Sequence, residues 1–199
     1  KDILNYLEQI KSGDTIRSQP DKTNIQLSKR VEEMDRVRKK IAEHMVHSQK
    51  ISPHVYSTIE ADVTEIVNYR NINKENFQNK YGVKLTYTPI ILDACVKAIK
   101  NFPLINTSLD GDKIIHHENI NLGVAVALPN NNLIVPVIKA CEEKNIIGLS
   151  RSSSDLAIRA RDNNLKADEI FGSTFTVTNP GIFGSLFGMA IINQPNVAI

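Results

Sequence analysis

Apolar positions along the chain fall into helical and strand periods that follow one another without a fixed alternation. From Leu27 to Lys50, Val31, Met34, Val37, Ile41 and Met45 recur every three or four residues on a charged background, which predicts a helix with a single apolar stripe. Pro53 closes it, and His54 to Val63 then alternates apolar and polar residues with many β-branched side chains, the pattern of a half-buried strand. Thr64 is placed to cap a helix running to about Tyr81, and Thr88 to cap another over Ile90 to Phe102, ended by Pro103. Asn106 to Leu109 and Lys113 to His116 flank an Asp110-Gly111 turn signal and predict a hairpin. Leu122 to Leu128 and Leu133 to Ile138, divided by a proline and three asparagines, predict a second antiparallel pair. Ile147 to Arg161 reads as a helix, Lys166 to Phe171 as a short one, and Thr174 to Thr178 and Ala190 to Ile199 as strands around a glycine-rich loop. Helices and antiparallel strands mixed without strict βαβ order make the expected class α+β, a mixed sheet flanked by helices.

The first residues belong to something else. Ile3, Leu4, Leu7 and Ile10 have helical spacing but span too few turns to be stable alone, and Lys11 to Gln26 is polar and aperiodic, with Gly13 and Pro20. The expected organisation is therefore a helical remnant over 1–10, a linker over 11–26 and a folded domain over 27–199.

Composition narrows the function. With 199 residues, 41% hydrophobic and 23% charged, the chain is globular in composition and can bury a core. The net charge of +2 favours neither nucleic acid nor an anionic membrane, and its apolar runs fall well short of the roughly 20 residues a membrane span needs. No partner of either kind is expected. The basic excess is local: residues 1–50 hold 11 basic and 8 acidic side chains, the remainder 13 and 14. Cys95 and Cys141 are solitary, which suggests free thiols in a reducing compartment. His44, His47, His54, His116 and His117 fit no metal-ligand spacing, so no metal site is expected, and no GxSxG, P-loop or GxGxxG motif is present.

One segment stands out chemically. FTVTNPGIFGSLFGMAIINQP sets the hydroxyl of Thr178 and the amide of Asn179 at a strand end, before glycines and aromatic residues suited to line a narrow passage. On composition alone it reads as an ordinary glycine-containing loop.

Five blocks taken together, MDRVRKKIAEHM (34–45), PHVYSTIEADVT (53–64), INTSLDGDKI (105–114), NLGVAVALPNNNLIVPVIK (121–139) and GSTFTVTNPGIFGSLFGMAIINQPNVAI (172–199), resemble the catalytic domain of dihydrolipoamide acyltransferases in order and spacing. These are the E2 core components of 2-oxoacid dehydrogenase complexes. KDILNYLEQ likewise resembles the closing helix of the peripheral-subunit-binding domain that precedes that catalytic domain.

The resemblance implies a chloramphenicol-acetyltransferase-like fold and acyl transfer between dihydrolipoyl lysine and coenzyme A. It further implies homotrimers built into a cubic or icosahedral core with the E1 and E3 components of the complex, in a bacterial cytoplasm or a mitochondrial matrix. The lipoyl group would ride on a separate or upstream domain. By the resemblance, Thr178 stands where the family's oxyanion-stabilising Ser or Thr stands. Asn179, Gly181, Phe183 and Gly184 fall in the cofactor-binding motif, and Arg38 at the arginine that pairs with the aspartate of an HxxxDG motif. That motif, which carries the general-base histidine, is not among these 199 residues: the position four before Asp110 is Asn106. The expectation is a C-terminally incomplete domain, inactive alone. Two other readings stay open, a non-catalytic assembly subunit of the same complex and a free-standing antibiotic O-acetyltransferase.

Overall fold

The computed structural model describes residues 31–129 and 132–199, and the expected helix over 1–10 and linker over 11–26 lie outside them. The chain divides after Met34 into two units, and the second, Asp35–Ile199, carries all the described helices and strands.

Among the described residues four α-helices form, three of them with buried side chains. α1 spans Arg36–Ile51, shorter at its start than the stripe predicts, because the carboxylate of Asp35 caps it by accepting the Arg38 backbone N–H at 2.9 Å. That bond and the neighbouring guanidinium hold Asp35 below the usual carboxylate range. Of the α1 stripe, Val37 and Ile41 are exposed, while Ser48 is fully buried. α2 spans Thr64–Tyr81 and buries no side chain. Thr64 is its first helical residue and not its cap: the N-cap position is Val63, which makes no side-chain capping bond, and Asp62 accepts from both the backbone N–H and the hydroxyl of Thr64. Gly82, at φ +71°, ends it in the left-handed conformation that favours glycine. α3 spans Tyr87–Asn101 and α4 spans Ile146–Arg161, the latter capped by Asn145.

Leu92, Val96 and Ile99 make one buried face of α3, which packs with Leu149 and Leu156 of α4 over the sheet residues Leu122 and Ile138. The thiol of Cys141 is buried in the same core.

Among the described residues, seven short strands complete the domain. β1 (Thr107–Asp110) and β2 (Lys113–His116) form the expected hairpin, with Asp110 paired to Lys113 so that the turn is Gly111-Asp112, one residue later than the sequence suggests. β3 (Leu122–Val124) is central in a three-stranded sheet, antiparallel to β6 (Val137–Ile138) and parallel to β7 (Phe175–Val177). β4 (Val126–Ala127) pairs with β5 (Leu133–Ile134), as expected of the second antiparallel pair. Gly123 sits where β3 crosses beneath Val135 and Thr176. A Cβ there would lie 2.8 Å from Val135 Cγ1 and 3.1 Å from Thr176 Oγ1, so only glycine fits.

Two expected strands are absent. His54 to Val63 and Ala190 to Ile199 pair with no strand among the described residues, and Val55 and Ile59 are 92% and 87% exposed. Alternation in sequence does not by itself make a ladder: the first segment leaves its apolar side chains exposed, and the second is anchored by side chains. The class remains α+β. Among the described residues no helix is long and apolar enough to cross a membrane.

Candidate functional site

Beyond β7 the chain turns along a cleft of about 440 Å³. One wall is β7 with Thr178. The other is the unpaired segment after Gly188, which contributes Ala190, Ile192, Val197, Ala198 and Ile199, and His54 and Tyr56 lie at the rim.

Buried polar side chains hold that second wall in place. Thr176 and Asn196 are 1% and 2% exposed. The Thr176 hydroxyl donates to Asn196 Oδ1 at 2.7 Å, and Asn196 Nδ2 donates to the Ser173 carbonyl at 2.6 Å, which joins the wall to β7. At the α1 end, the hydroxyl of Ser48 donates to the Ile192 carbonyl at 2.6 Å. Gln194 Nε2 donates to the hydroxyls of Ser52 and Ser48 at 2.8 and 3.3 Å. His54 completes the set. Its Nε2 accepts the Ile192 N–H at 3.0 Å and its Nδ1 lies 2.7 Å from the Ser52 carbonyl. Accepting an amide N–H requires an unprotonated Nε2, so the proton is on Nδ1 and is donated to Ser52. Both ring nitrogens are thus committed to backbone groups, and His54 is a structural histidine in a chemically suggestive place.

Thr178 follows β7 with its side chain exposed on the cleft. Asn179 folds back so that its Oδ1 accepts the Gly181 N–H at 3.0 Å, opening the 3₁₀ turn Pro180–Phe183, which Gly184 closes at φ +76°. Gly181 and Gly184 therefore shape the turn, while the side chain of Phe183 is outside the described residues. Arg38 is not part of the cleft; its guanidinium lies 3.9 Å from Asp35 and 3.4 Å from Asn132 Oδ1. Cys95 faces the cleft, and burial raises its thiol pKa.

A second cleft, of about 360 Å³, opens between the start of α3, the β3–β4 segment and α4. It is lined by Lys84, Arg161, Thr86, Thr88 and Ser154, and by Asn179. Adjacent residues, Thr178 and Asn179, thus face two different clefts.

The family model for 2-oxoacid dehydrogenases acyltransferase (catalytic domain) matches residues 26–199. The chain belongs to this acyltransferase family. Among solved structures, a probable dihydrolipoamide acetyltransferase from Listeria monocytogenes superposes with a TM-score of 0.81 at 42% identity, over 85% of this chain and 72% of that one. The dihydrolipoamide acetyltransferase of Azotobacter vinelandii gives 0.78 at 33% identity, over 84% and 70%. The lipoamide acyltransferase component of the branched-chain alpha-keto acid dehydrogenase complex of Bacillus subtilis is 44% identical over 82% of this chain. This chain spans 38% of the length of that relative, so the acyltransferase domain is one portion of such a protein. The fold is accordingly the chloramphenicol-acetyltransferase-like one expected of the family.

Thr176, Asn196 and His54 escape a reading by sequence motif. The one signal for Asn196 is a lone amide in the apolar run NVAI, and its meaning appears only with its partners.

Proposed function

We propose that the protein transfers an acyl group between a dihydrolipoyl thiol and the thiol of coenzyme A, with Thr178 at the point of transfer. The observation that carries the reading is the placement of Thr178 and Asn179 on two clefts, one on each side of the end of β7. Lys84 and Arg161 give the second cleft cations and its hydroxyls give it donors, which suits the phosphates of coenzyme A. The first cleft, walled by Val177, Ile192 and Val197, suits the acyl group and the lipoyl arm. Asn179, Gly181, Phe183 and Gly184 form the turn between them, close to where the coenzyme thiol would arrive.

The chemistry asks for two things. A free thiol has a pKa near 8.5, so a base near pKa 6.5 within hydrogen-bond reach raises its nucleophilicity at neutral pH. A donor aimed at the thioester oxygen stabilises the charge developing there, and one such donor contributes on the order of 3 kcal/mol. Thr178 supplies the donor. With both nitrogens of His54 bonded to backbone, the base comes in this reading from the family's HxxxDG segment. Arg38, whose guanidinium among the described residues meets Asp35 at 3.9 Å and Asn132 at 3.4 Å, is the arginine that would pair with the aspartate of that segment.

In the same reading the exposed Val37 and Ile41 of α1 are covered by a neighbouring subunit in a homotrimer, and trimers build a cubic or icosahedral core that binds the E1 and E3 components. A solved relative 33% identical to this chain is itself the cubic core of a pyruvate dehydrogenase multienzyme complex. Residues 1–10 close a peripheral-subunit-binding domain and 11–26 link it to the core. The lipoyl group is carried on another domain, and the compartment is the bacterial cytoplasm or the mitochondrial matrix.

The test is Thr178→Val in the full-length protein, which keeps β-branching and removes the donor. Transfer between acyl-coenzyme A and dihydrolipoamide should lose roughly 10²-fold in kcat with KM little changed, and Thr178→Ser should retain most activity. A valine variant at the parental rate would reduce Thr178 to a packing residue. Absence of transfer by the parental protein would favour the non-catalytic assembly subunit.

A further inference from the structure

We propose that the acyl group this cleft accepts is uncharged, a short aliphatic acyl chain and not one that ends in a carboxylate. The inference rests on the acyl-transfer reading and concerns which acyl donors that site can use.

A dicarboxylic acyl group brings its free carboxylate into the cleft along with the thioester. Out of bulk water, that charge needs a cation or several strong donors. Among the described residues lining the cleft there is no lysine and no arginine. The one side chain there that could become a cation is His54, and its ring is committed on both nitrogens. Nδ1 donates to the Ser52 carbonyl and Nε2 accepts the Ile192 N–H, so charging the ring would set an N–H against an N–H and free the wall at Ile192. Asn196, the amide nearest in chain to the apolar wall residues, is equally unavailable, with its carboxamide bonded to Thr176 and Ser173.

What remains facing the cleft is apolar at Phe175, Val177, Ile192, Val197 and Ile199, small at Ala190 and Ala198, and neutral at the hydroxyls of Tyr56, Ser57 and Thr178. The apolar surfaces favour a hydrocarbon chain by burial, and the neutral hydroxyls give a carboxylate no counter-charge. The cations of the region, Lys84 and Arg161, line the other cleft, on the Asn179 side. The charge pattern therefore separates a phosphate-bearing carrier from an uncharged cargo. In the transfer itself, the bond from the acyl carbon to one sulfur breaks as the bond to the other forms, and the proton of the attacking thiol ends on the departing sulfur. No group in this step calls for a second charge in the cleft.

The experiment is a donor panel with the full-length assembled protein, measuring kcat/KM for acetyl-, isobutyryl- and succinyl-coenzyme A with dihydrolipoamide as acceptor. The better of the two uncharged donors should exceed succinyl-coenzyme A by about 10²-fold or more, the scale on which an unpaired charge is disfavoured in a dry site. Succinyl transfer equal to or faster than both would overturn the inference while leaving the acyltransferase reading intact. No transfer from any of the three would overturn both.

Discussion

Breaking the hydroxyl–amide bond between Thr176 and Asn196 should loosen the cleft wall by an amount the structure allows one to estimate. Thr176→Val keeps the shape of the side chain and removes the donor 2.7 Å from Asn196 Oδ1. That buried oxygen is then left with the Ser173 hydroxyl at 3.4 Å, a poor substitute. Stranding a buried acceptor costs about 1–3 kcal/mol, so a value near 2 kcal/mol is expected. For a protein of this size that corresponds to a fall in Tm of roughly 4–8 °C. Asn196→Ala should cost more, since it also releases the Ser173 carbonyl that Nδ2 holds at 2.6 Å. The decisive quantity is the coupling. Because the two side chains share a bond, the double variant should be less destabilised than the sum of the singles by about 1 kcal/mol or more. Urea denaturation of parent, singles and double at one protein concentration measures it. Additivity within about 0.4 kcal/mol would show that the bond does not bear on the wall, and the account of how that wall is held would fail.

Gly123→Ala places a Cβ 2.8 Å from Val135 Cγ1 at the centre of the sheet, and should cost about 1–3 kcal/mol in the same denaturation assay. Glu169 accepts two hydrogen bonds from Arg159 at 2.6 Å, and this holds its carboxyl at about pKa 2, below the ordinary 4.5. The stabilisation is therefore complete above the unfolded value and is lost as pH falls from about 4.5 towards 2; a pH series of Tm should show this loss in the parent and a flatter profile in Glu169→Gln. Cys141 is fully buried and its thiol is pushed up to about 11, chiefly by burial, so at pH 8 a thiol reagent should label it only on unfolding.

The helices and the hairpin were legible because their signals are local. Leu92, Val96 and Ile99 recur at helical spacing wherever the chain packs, and glycine beside Asp112 makes the same turn in any fold. The sheet order was not legible. The parallel pairing of β3 with β7 joins residues some fifty positions apart, and no local pattern at Gly123 announces Thr176 across from it. Ala190 to Ile199 reads as a strand although its half-buried side chains lie beside no other strand among the described residues, and in His54 to Val63 the alternating Val55 and Ile59 are exposed, so the period of two there marks neither shelter nor a ladder. The site shows the same division. Thr178 and Asn179 could be picked out from a motif. The residues that hold the opposite wall, His54, Thr176 and Asn196, become meaningful only when their partners, up to 138 positions away, are in view.

The way Ile192 is fastened has a consequence for how the pocket can change over evolutionary time. Ser48 and His54 grip its carbonyl and its N–H, the two atoms every residue except proline offers, while its side chain faces the cleft. Grip and selectivity are therefore encoded at separate positions. A lineage can exchange the side chain at 192 and reshape the space offered to the cargo while the fastening stays as it was. In a sheet-built wall the same exchange would also have to suit the neighbouring strand.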